Sequence, residues 1–307
     1  MSTAAARESA RPVVGRFAPS PTGPLHFGSL VAALASYCDA RAQGGRWLVR
    51  IEDVDEPRSR ASAERAILAA LVRYGLRWDG EVVRQSGRTA HYAEALGRLR
   101  EAGLVYACAC TRREMEQAPR NATGERIYQG TCRHAAIDAS AAHVAHRVRV
   151  KDALVEYIDA LQGAQRQDVE REVGDFIVRR ADGWFAYQLA VVVDDALQDV
   201  TSIVRGADLL PSTPRQIYLQ RALAVATPEY LHVPVAISAS GEKLSKQTGA
   251  QALPHDPVPL LLSAWKFLDQ PAPTALPSSA AQFIEHAVAS WTRSRLPPTA
   301  MLPVPRV

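Results

Sequence analysis

Long apolar runs are missing from this sequence. No stretch approaches the ~18–20 residues that a membrane-crossing helix needs, so a helical membrane protein is excluded. The opening segment MSTAAARESARP lacks the apolar core of ~7–15 residues of a secretory leader, so none is expected. Cysteine is sparse, 4 in 307 residues, which excludes a disulfide-stapled scaffold and makes the reducing cytoplasm the expected location. Net charge is small: 36 Lys+Arg against 32 Asp+Glu gives +4 and a pI near 9.0, which permits a nucleic-acid partner without arguing for one. Lysine is scarcest among the basic residues, with only Lys151, Lys243, Lys246 and Lys266 among the 36. Two of these four fall in Glu242-Lys243-Leu244-Ser245-Lys246, where a compact, mobile ammonium is kept in a chain that otherwise prefers the planar guanidinium. There is no internal repeat.

What is present describes a globular chain: 47% hydrophobic and 22% charged residues, enough for one large domain or two modest ones. Val13 to Phe17 reads as a short buried strand that runs into the proline-rich loop Ala18–Pro24. From about Gly28 the apolar spacing turns helical (Leu30, Leu34, Tyr37) and stops at Gly44-Gly45. Arg46 to Ile51 reads as a second strand ending at the acidic group Glu52-Asp53-Val54-Asp55, and Ser62 to Tyr74 as a second amphipathic helix. Strand, loop, helix, strand, helix is the order of a parallel α/β sheet. The middle differs. Cys108 to Arg133 is polar and holds three of the four cysteines, and residues 146–188 alternate as antiparallel strands with an Asp182-Gly183 turn, so this block reads as an insertion between two halves of an α/β domain. Helical spacing returns after Thr213. The last 57 residues carry ten of the 20 prolines and read as short interrupted helices, too few for another large domain.

The loop from Arg16 to Ser29 sits where a first strand feeds a helix, at the edge of the sheet where open α/β folds bind ligands. A helix N-terminus offers unpaired N–H groups and a positive dipole end to a phosphate. Gly23 and Gly28 allow close approach of a flat or phosphorylated ligand, and His26 can donate to phosphate oxygens. Neither the Walker spacing nor G-x-G-x-x-G is present. Taken alone, the loop is also compatible with a proline-rich turn carrying an incidental histidine.

His26-Phe27-Gly28-Ser29 together with Lys243-Leu244-Ser245-Lys246-Gln247, about 217 positions later, resembles the two signature motifs of class I aminoacyl-tRNA synthetases. The stretch RFAPSPTGPLHFGSL is similar to the glutamyl branch in particular, as is RIEDVDEPRS, and the resemblance covers roughly residues 13–250. It departs at two motif ends, where Ser29 and Gln247 stand in place of the general histidine and serine. The implied fold is an α/β, Rossmann-like class I synthetase catalytic domain with an inserted zinc-bearing α+β subdomain of the acceptor type and a short helical C-terminal tail. Its expected divisions are 1–105 and 187–250 for the two catalytic halves, 106–186 for the insertion and 251–307 for the tail.

The resemblance implies ATP binding by His26, Gly28, Ser29, Lys243 and Lys246, with Mg2+ expected beside the phosphates, and catalysis by His26 and Lys246. It implies a glutamate pocket made of Arg16, Phe17, Ala18, Pro19, Ser20, Glu52, Tyr187 and Arg205. Chemically these suit an acidic amino acid. Glu52 matches an ammonium, Arg16 and Arg205 match carboxylates bidentately, and Tyr187 offers a hydroxyl while closing the pocket. Most of the 32 arginines would nevertheless be solvated, and Tyr187 could be a core aromatic. Asp53 and Asp55 read as structural carboxylates.

Cys108, Cys110 and Cys132 supply three thiolates, and a structural zinc needs a fourth ligand. Chemistry alone favours His134, whereas the resemblance points to Tyr128; reduced free thiols are the plainer alternative. Cys38 looks like ordinary helix packing.

Only 60 residues follow Gln247, so the anticodon-binding half of a full glutamyl enzyme is not expected. A catalytic half on its own resembles a truncated branch of the family. That resemblance implies tRNA-independent activation of L-glutamate and transfer to the cyclopentenediol of queuosine at the wobble position of tRNA(Asp), by a protein expected to be monomeric. Two rivals stay open: an ordinary catalytic fragment charging tRNA(Glu), and an inactive paralogue that binds tRNA.

Overall fold

The structure is a computed structural model and describes residues 11–238, 241 and 252–304. Strand β1 (Val14–Phe17) is buried along its length, and β2 (Arg46–Ile51) is buried at every position but the first. Such unbroken burial is what a central parallel strand covered on both faces requires. Helix α1 (Phe27–Ala42) joins them, and α2 (Ala61–Arg73) leads from β2 to the short β3 (Val83–Arg84). Helix α3 (Thr89–Glu101) then leads into β4 (Val105–Cys108), α4 (Arg112–Glu116), β5 (Ala145–Val148), β6 (Leu154–Asp159), β7 (Gly163–Asp168), α5 (Val169–Glu172) and β8 (Ile177–Arg179). The chain continues through α6 (Tyr187–Leu197), β9 (Ser202–Gly206), α7 (Thr213–Ala222), β10 (Glu229–Val233) and β11 (Val235–Ile237) to α8 (Val258–Phe267), α9 (Ala280–Ser290) and β12 (Met301–Pro303).

The main sheet has seven strands in the order β3-β2-β1-β9-β10-β6-β7, parallel except for the antiparallel pair β6–β7. The strand order reverses direction between β1 and β9, and the crevice beyond their carboxyl ends is where such sheets take ligands. This is the Rossmann-like α/β fold with a mixed sheet. A separate antiparallel sheet, β4-β5-β8, carries the cysteine-bearing segment.

The hairpin β6–β7 lies elsewhere than the sequence reading of an all-inserted 146–188 block. It pairs onto β10 through Tyr230 and Asp159 and extends the main sheet. Without it β10 would be an open edge, and the buried Asp159 would lose its partners. The proline-rich tail forms short interrupted helices, as its sequence implies, and they are packed on the domain. Helices α8 and α9 cover α1: Trp265, Phe267 and Phe283 are buried in one cluster with Phe27, Leu30 and Leu34, and β12 pairs with β11. Among the described residues no helix is long and apolar enough to cross a membrane.

Candidate active site

A cavity of about 520 Å³ opens at the carboxyl edge of the sheet, over the point where the strand order reverses. Its walls come from several places in the chain, among them residues 233–236. Strand β1 delivers Arg16 and Phe17, and the following loop delivers Ala18, Pro19 and Ser20. His26, Gly28 and Ser29 stand at the start of α1, Glu52 follows β2, Tyr187 opens α6, and Arg205 is near the end of β9. Every glutamate-site residue singled out in the sequence is thus brought together with three of the five ATP-site residues. The other two, Lys243 and Lys246, lie outside the described residues, as does Gln247.

The loop holds its shape because its prolines cannot continue a strand or helix and its backbone is pinned at both ends. The Glu52 N–H donates to the Pro19 carbonyl (3.0 Å), and the Arg60 N–H donates to the Pro21 carbonyl (3.0 Å). At the start of α1, His26 is the N-cap in extended conformation. The first-turn N–H groups have no partner within the helix, and Gly28 and Ser29 of that turn line the cavity. A Cβ on Gly28 would lie 3.3 Å from the His26 ring, so glycine there lets the imidazole stay at the helix start.

Behind the pocket lies a buried ion network. Asp195 Oδ1 accepts from Arg16 Nε (3.1 Å) and from Arg50 Nη1 (2.8 Å). Asp194 accepts from Arg88 Nε (2.6 Å), Tyr92 Oη (2.7 Å) and Gln85 Nε2 (2.9 Å). Arg50 Nη2 reaches Glu52 Oε1 at 3.5 Å. Helix periodicity explains the layout: Tyr187 and the Asp194-Asp195 pair are two turns apart on α6, so they share a face, the tyrosine at the mouth and the carboxylates beneath. Burial raises Asp195, but the Arg16 and Arg50 guanidiniums outweigh it and hold its carboxyl below the usual range. For Glu52 the balance goes the other way. Burial dominates over Arg50 and Arg16 and pushes it up to about 7. Burial also raises the Tyr187 hydroxyl to about 12, so it stays a donor.

On the opposite wall Arg205 Nε donates to His232 Nε2 (2.9 Å) and Nη2 to Thr213 Oγ1 (2.8 Å). Asp53 accepts from the Ser86 N–H and hydroxyl (2.9 and 2.6 Å), and Asp55 pairs with Arg58 and Arg180; both carboxylates are structural.

The second cluster lies in the smaller sheet. The sulfur atoms of Cys108, Cys110 and Cys132 lie within 4.8 Å of one another. The Tyr128 hydroxyl sits among them, 3.5 Å from Cys108 Sγ and 3.6 Å from Cys110 Sγ, with Cys110 and Cys132 3.4 Å apart. A tetrahedron of Zn–S and Zn–O bonds near 2.3 and 2.0 Å has edges of about 3.5–3.8 Å, so the donor set fits that ion. The Cys132 N–H donates to the phenol oxygen (2.8 Å), and the Arg147 guanidinium lies 3.8 Å over the Tyr128 ring with Nε 3.2 Å from Cys108 Sγ. At Gly174 φ is +71° and a Cβ would stand 2.3 Å from the Tyr128 carbonyl, so only glycine lets this loop pass. His134, the alternative fourth ligand, is exposed and outside the cluster. Cys38 is fully buried on α1, and burial raises its thiol.

Sequence reading missed Arg50, Asp194, Asp195, Asp159 and His232. A usable signal existed for three of them: an arginine inside the otherwise apolar Trp47–Ile51 run, and an acidic pair ending the apolar turn Leu189–Val193.

This architecture matches that of known proteins. The family described as tRNA synthetases class I (E and Q), catalytic domain, matches residues 12–258, and the chain belongs to that family. Its solved relatives include the glutamate–tRNA synthetase of Elizabethkingia anophelis, with a TM-score of 0.79 at 23% identity over 94% of this chain and 67% of that one. Among curated proteins it is 54% identical to the Glutamyl-Q tRNA(Asp) synthetase of Thiobacillus denitrificans over 95% of this chain and 98% of that one. It is 53% identical to the protein of that name from Dechloromonas aromatica, over 96% and 99%.

Because the native state binds the Glu52 proton more tightly than the unfolded chain does, stability falls as pH climbs from about 4.5 toward 7. Glu52→Gln is therefore expected to raise Tm at pH 8, by up to about 3 kcal/mol of stability, and to leave it unchanged near pH 4. Thermal melts of both proteins across that range check it; equal melts at pH 8 would contradict the burial.

Proposed function

We propose that this chain activates L-glutamate with ATP, without tRNA, and passes the glutamyl group to the queuosine cyclopentenediol at the wobble position of tRNA(Asp). The observation that carries this is a single cavity holding Arg16, Glu52, Tyr187 and Arg205 beside the N-terminus of α1. It occurs in a chain 54% identical to a Glutamyl-Q tRNA(Asp) synthetase over nearly the whole of both.

Each group has its own part in this chemistry. Glu52 holds the substrate ammonium, and Arg16 and Arg205 face its carboxylates. Tyr187 donates its hydroxyl and closes the side, while Phe17, Ala18, Pro19 and Ser20 form the floor. In the first step a carboxylate oxygen of glutamate bonds to the α-phosphorus of ATP. The bond from that phosphorus to the bridging oxygen breaks, and pyrophosphate leaves with the electron pair. The protein supplies position and charge rather than covalent chemistry. His26, Gly28, Ser29 and the first-turn N–H groups of α1 take the phosphates. Lys243 and Lys246 add positive charge at the pentacoordinate phosphorus, and Mg2+ accompanies the nucleotide. In the second step a cyclopentene hydroxyl oxygen bonds to the glutamyl carbonyl carbon, the bond from that carbon to the phosphate oxygen breaks, and AMP departs with the electron pair while the hydroxyl proton passes to its phosphate. The small sheet serves as the acceptor-type subdomain, with zinc held by Cys108, Cys110, Tyr128 and Cys132 as a structural brace.

Glutamate-dependent ATP–pyrophosphate exchange with purified protein and no tRNA tests the first step. Exchange is expected with glutamate and not with glutamine or aspartate. Lys246→Ala is expected to lower it by two to three decades, the ~3–4 kcal/mol of a lost transition-state contact, with much less change in glutamate affinity. Exchange that appears only when tRNA(Glu) is added would overturn the reading. Metal analysis is expected to give one zinc per chain, lost in Cys132→Ser; a full zinc content in that variant would remove the ligand set.

A further inference from the structure

Arg16 and Arg205 are both buried in the wall of the cavity, 3% and 5% exposed, yet they are neutralised differently. Arg16 is paired with Asp195, and in the network behind it three guanidiniums (Arg16, Arg50, Arg88) meet three carboxylates (Glu52, Asp194, Asp195). Among the described residues no carboxylate bonds to Arg205 directly; Asp159 stands behind its histidine partner. Its hydrogen-bond partners among the described residues are His232 Nε2, Thr213 Oγ1 and the Leu209 carbonyl, and its Nη1 is buried with no partner.

The histidine is fixed from behind. His232 Nδ1 lies 2.6 Å from Asp159 Oδ2, and Asp159 Oδ1 accepts from the backbone N–H groups of His232, Leu161 and Gln162. His232 is fully buried and Asp159 1% exposed. With Nδ1–H donated to Asp159, Nε2 is the bare acceptor that Arg205 Nε needs, and a second proton there would face a guanidinium. A carboxylate in place of the imidazole would hold the arginine equally well but cancel its charge.

We infer that His232, set in one tautomer by Asp159, is a positioning residue that aims Arg205 at a carboxylate of the substrate through a neutral acceptor, which keeps the Asp159 carboxylate one imidazole away from the guanidinium. The relay rests on the reading of this cavity as the glutamate pocket. The hairpin β6–β7 thereby serves function as well as folding, since it carries Asp159 to β10.

Three variants test the relay, read by exchange kinetics and by calorimetric titration of glutamate. His232→Gln keeps a neutral acceptor and is expected to stay within about threefold of wild type. Asp159→Asn frees the tautomer, and His232→Glu cancels the charge. Each is expected to raise the KM and Kd for glutamate at least tenfold, with the KM for ATP and kcat within about threefold. Asp159→Asn, nearly isosteric, serves should the glutamate variant fail to fold. Unchanged glutamate constants in Asp159→Asn, or equal losses for glutamate and ATP, would overturn the relay. Wild-type protein that binds glutamate but does not exchange would overturn the activation reading and leave the relay test standing.

Discussion

The pair Asp194-Asp195 is the constraint on which the rest of the site depends. Two adjacent carboxylates sit near the end of an apolar helix, both buried, and together they gather Arg16 from β1, Arg50 from β2, and Gln85, Arg88 and Tyr92 from the segment beyond β3. Burying such charges costs several kcal/mol per ion, offset only when each finds good partners. Here every contact runs between parts of the chain more than 100 residues apart. The network therefore fixes the second half of the Rossmann-like domain against the first, and with it the distance between Tyr187 and the Arg16 wall.

That arrangement links packing to chemistry. A pocket for a doubly carboxylated amino acid must be positive without collapsing on its own charges. Under the proposed reading the back wall meets this by matching guanidiniums with carboxylates, and the Arg205 wall by setting a neutral imidazole between its guanidinium and Asp159. Glu52 sits between the two, where burial pushes its carboxyl up to about 7, and in the proposed reading an ammonium beside it would restore its ionised form. The second sheet repeats the principle of a charged hub: Asp175, fully buried, accepts from Tyr106 Oη (2.5 Å), Arg133 Nη2 (2.8 Å) and the Val150 N–H (2.7 Å). Arg147 donates to its carbonyl (2.8 Å) while lying against Tyr128, so the cysteine cluster is tied to that hub.

Much of this was legible in the sequence because it is local. The first strand, the proline loop, α1 and β2 follow from burial pattern and breakers, and the loop from Arg16 to Ser29 carries its chemistry in contiguous residues. The cysteine cluster was legible as composition, although spacing left the fourth ligand open. What escaped reading is what topology creates. Nothing local says that Asp159 meets His232, that Arg50 inside a buried strand is held by a helix some 145 residues later, or that the hairpin 154–168 joins the main sheet. The tail's short interrupted helices were legible too, but not where they pack. Prolines mark its breaks, but the burial of Trp265 and Phe283 against α1 depends on a surface that only the folded domain offers.

The central claim is that a pocket built for free glutamate serves a modified anticodon base rather than a 3′ terminus. The most direct measurement is transfer of labelled glutamate by the purified protein, with ATP, to tRNA(Asp) bearing queuosine, to tRNA(Asp) lacking it, and to tRNA(Glu). The account predicts base-labile label on the queuosine-bearing tRNA alone, recovered in the anticodon fragment after nuclease digestion. Label on tRNA(Glu), recovered on its 3′-terminal adenosine, would contradict it.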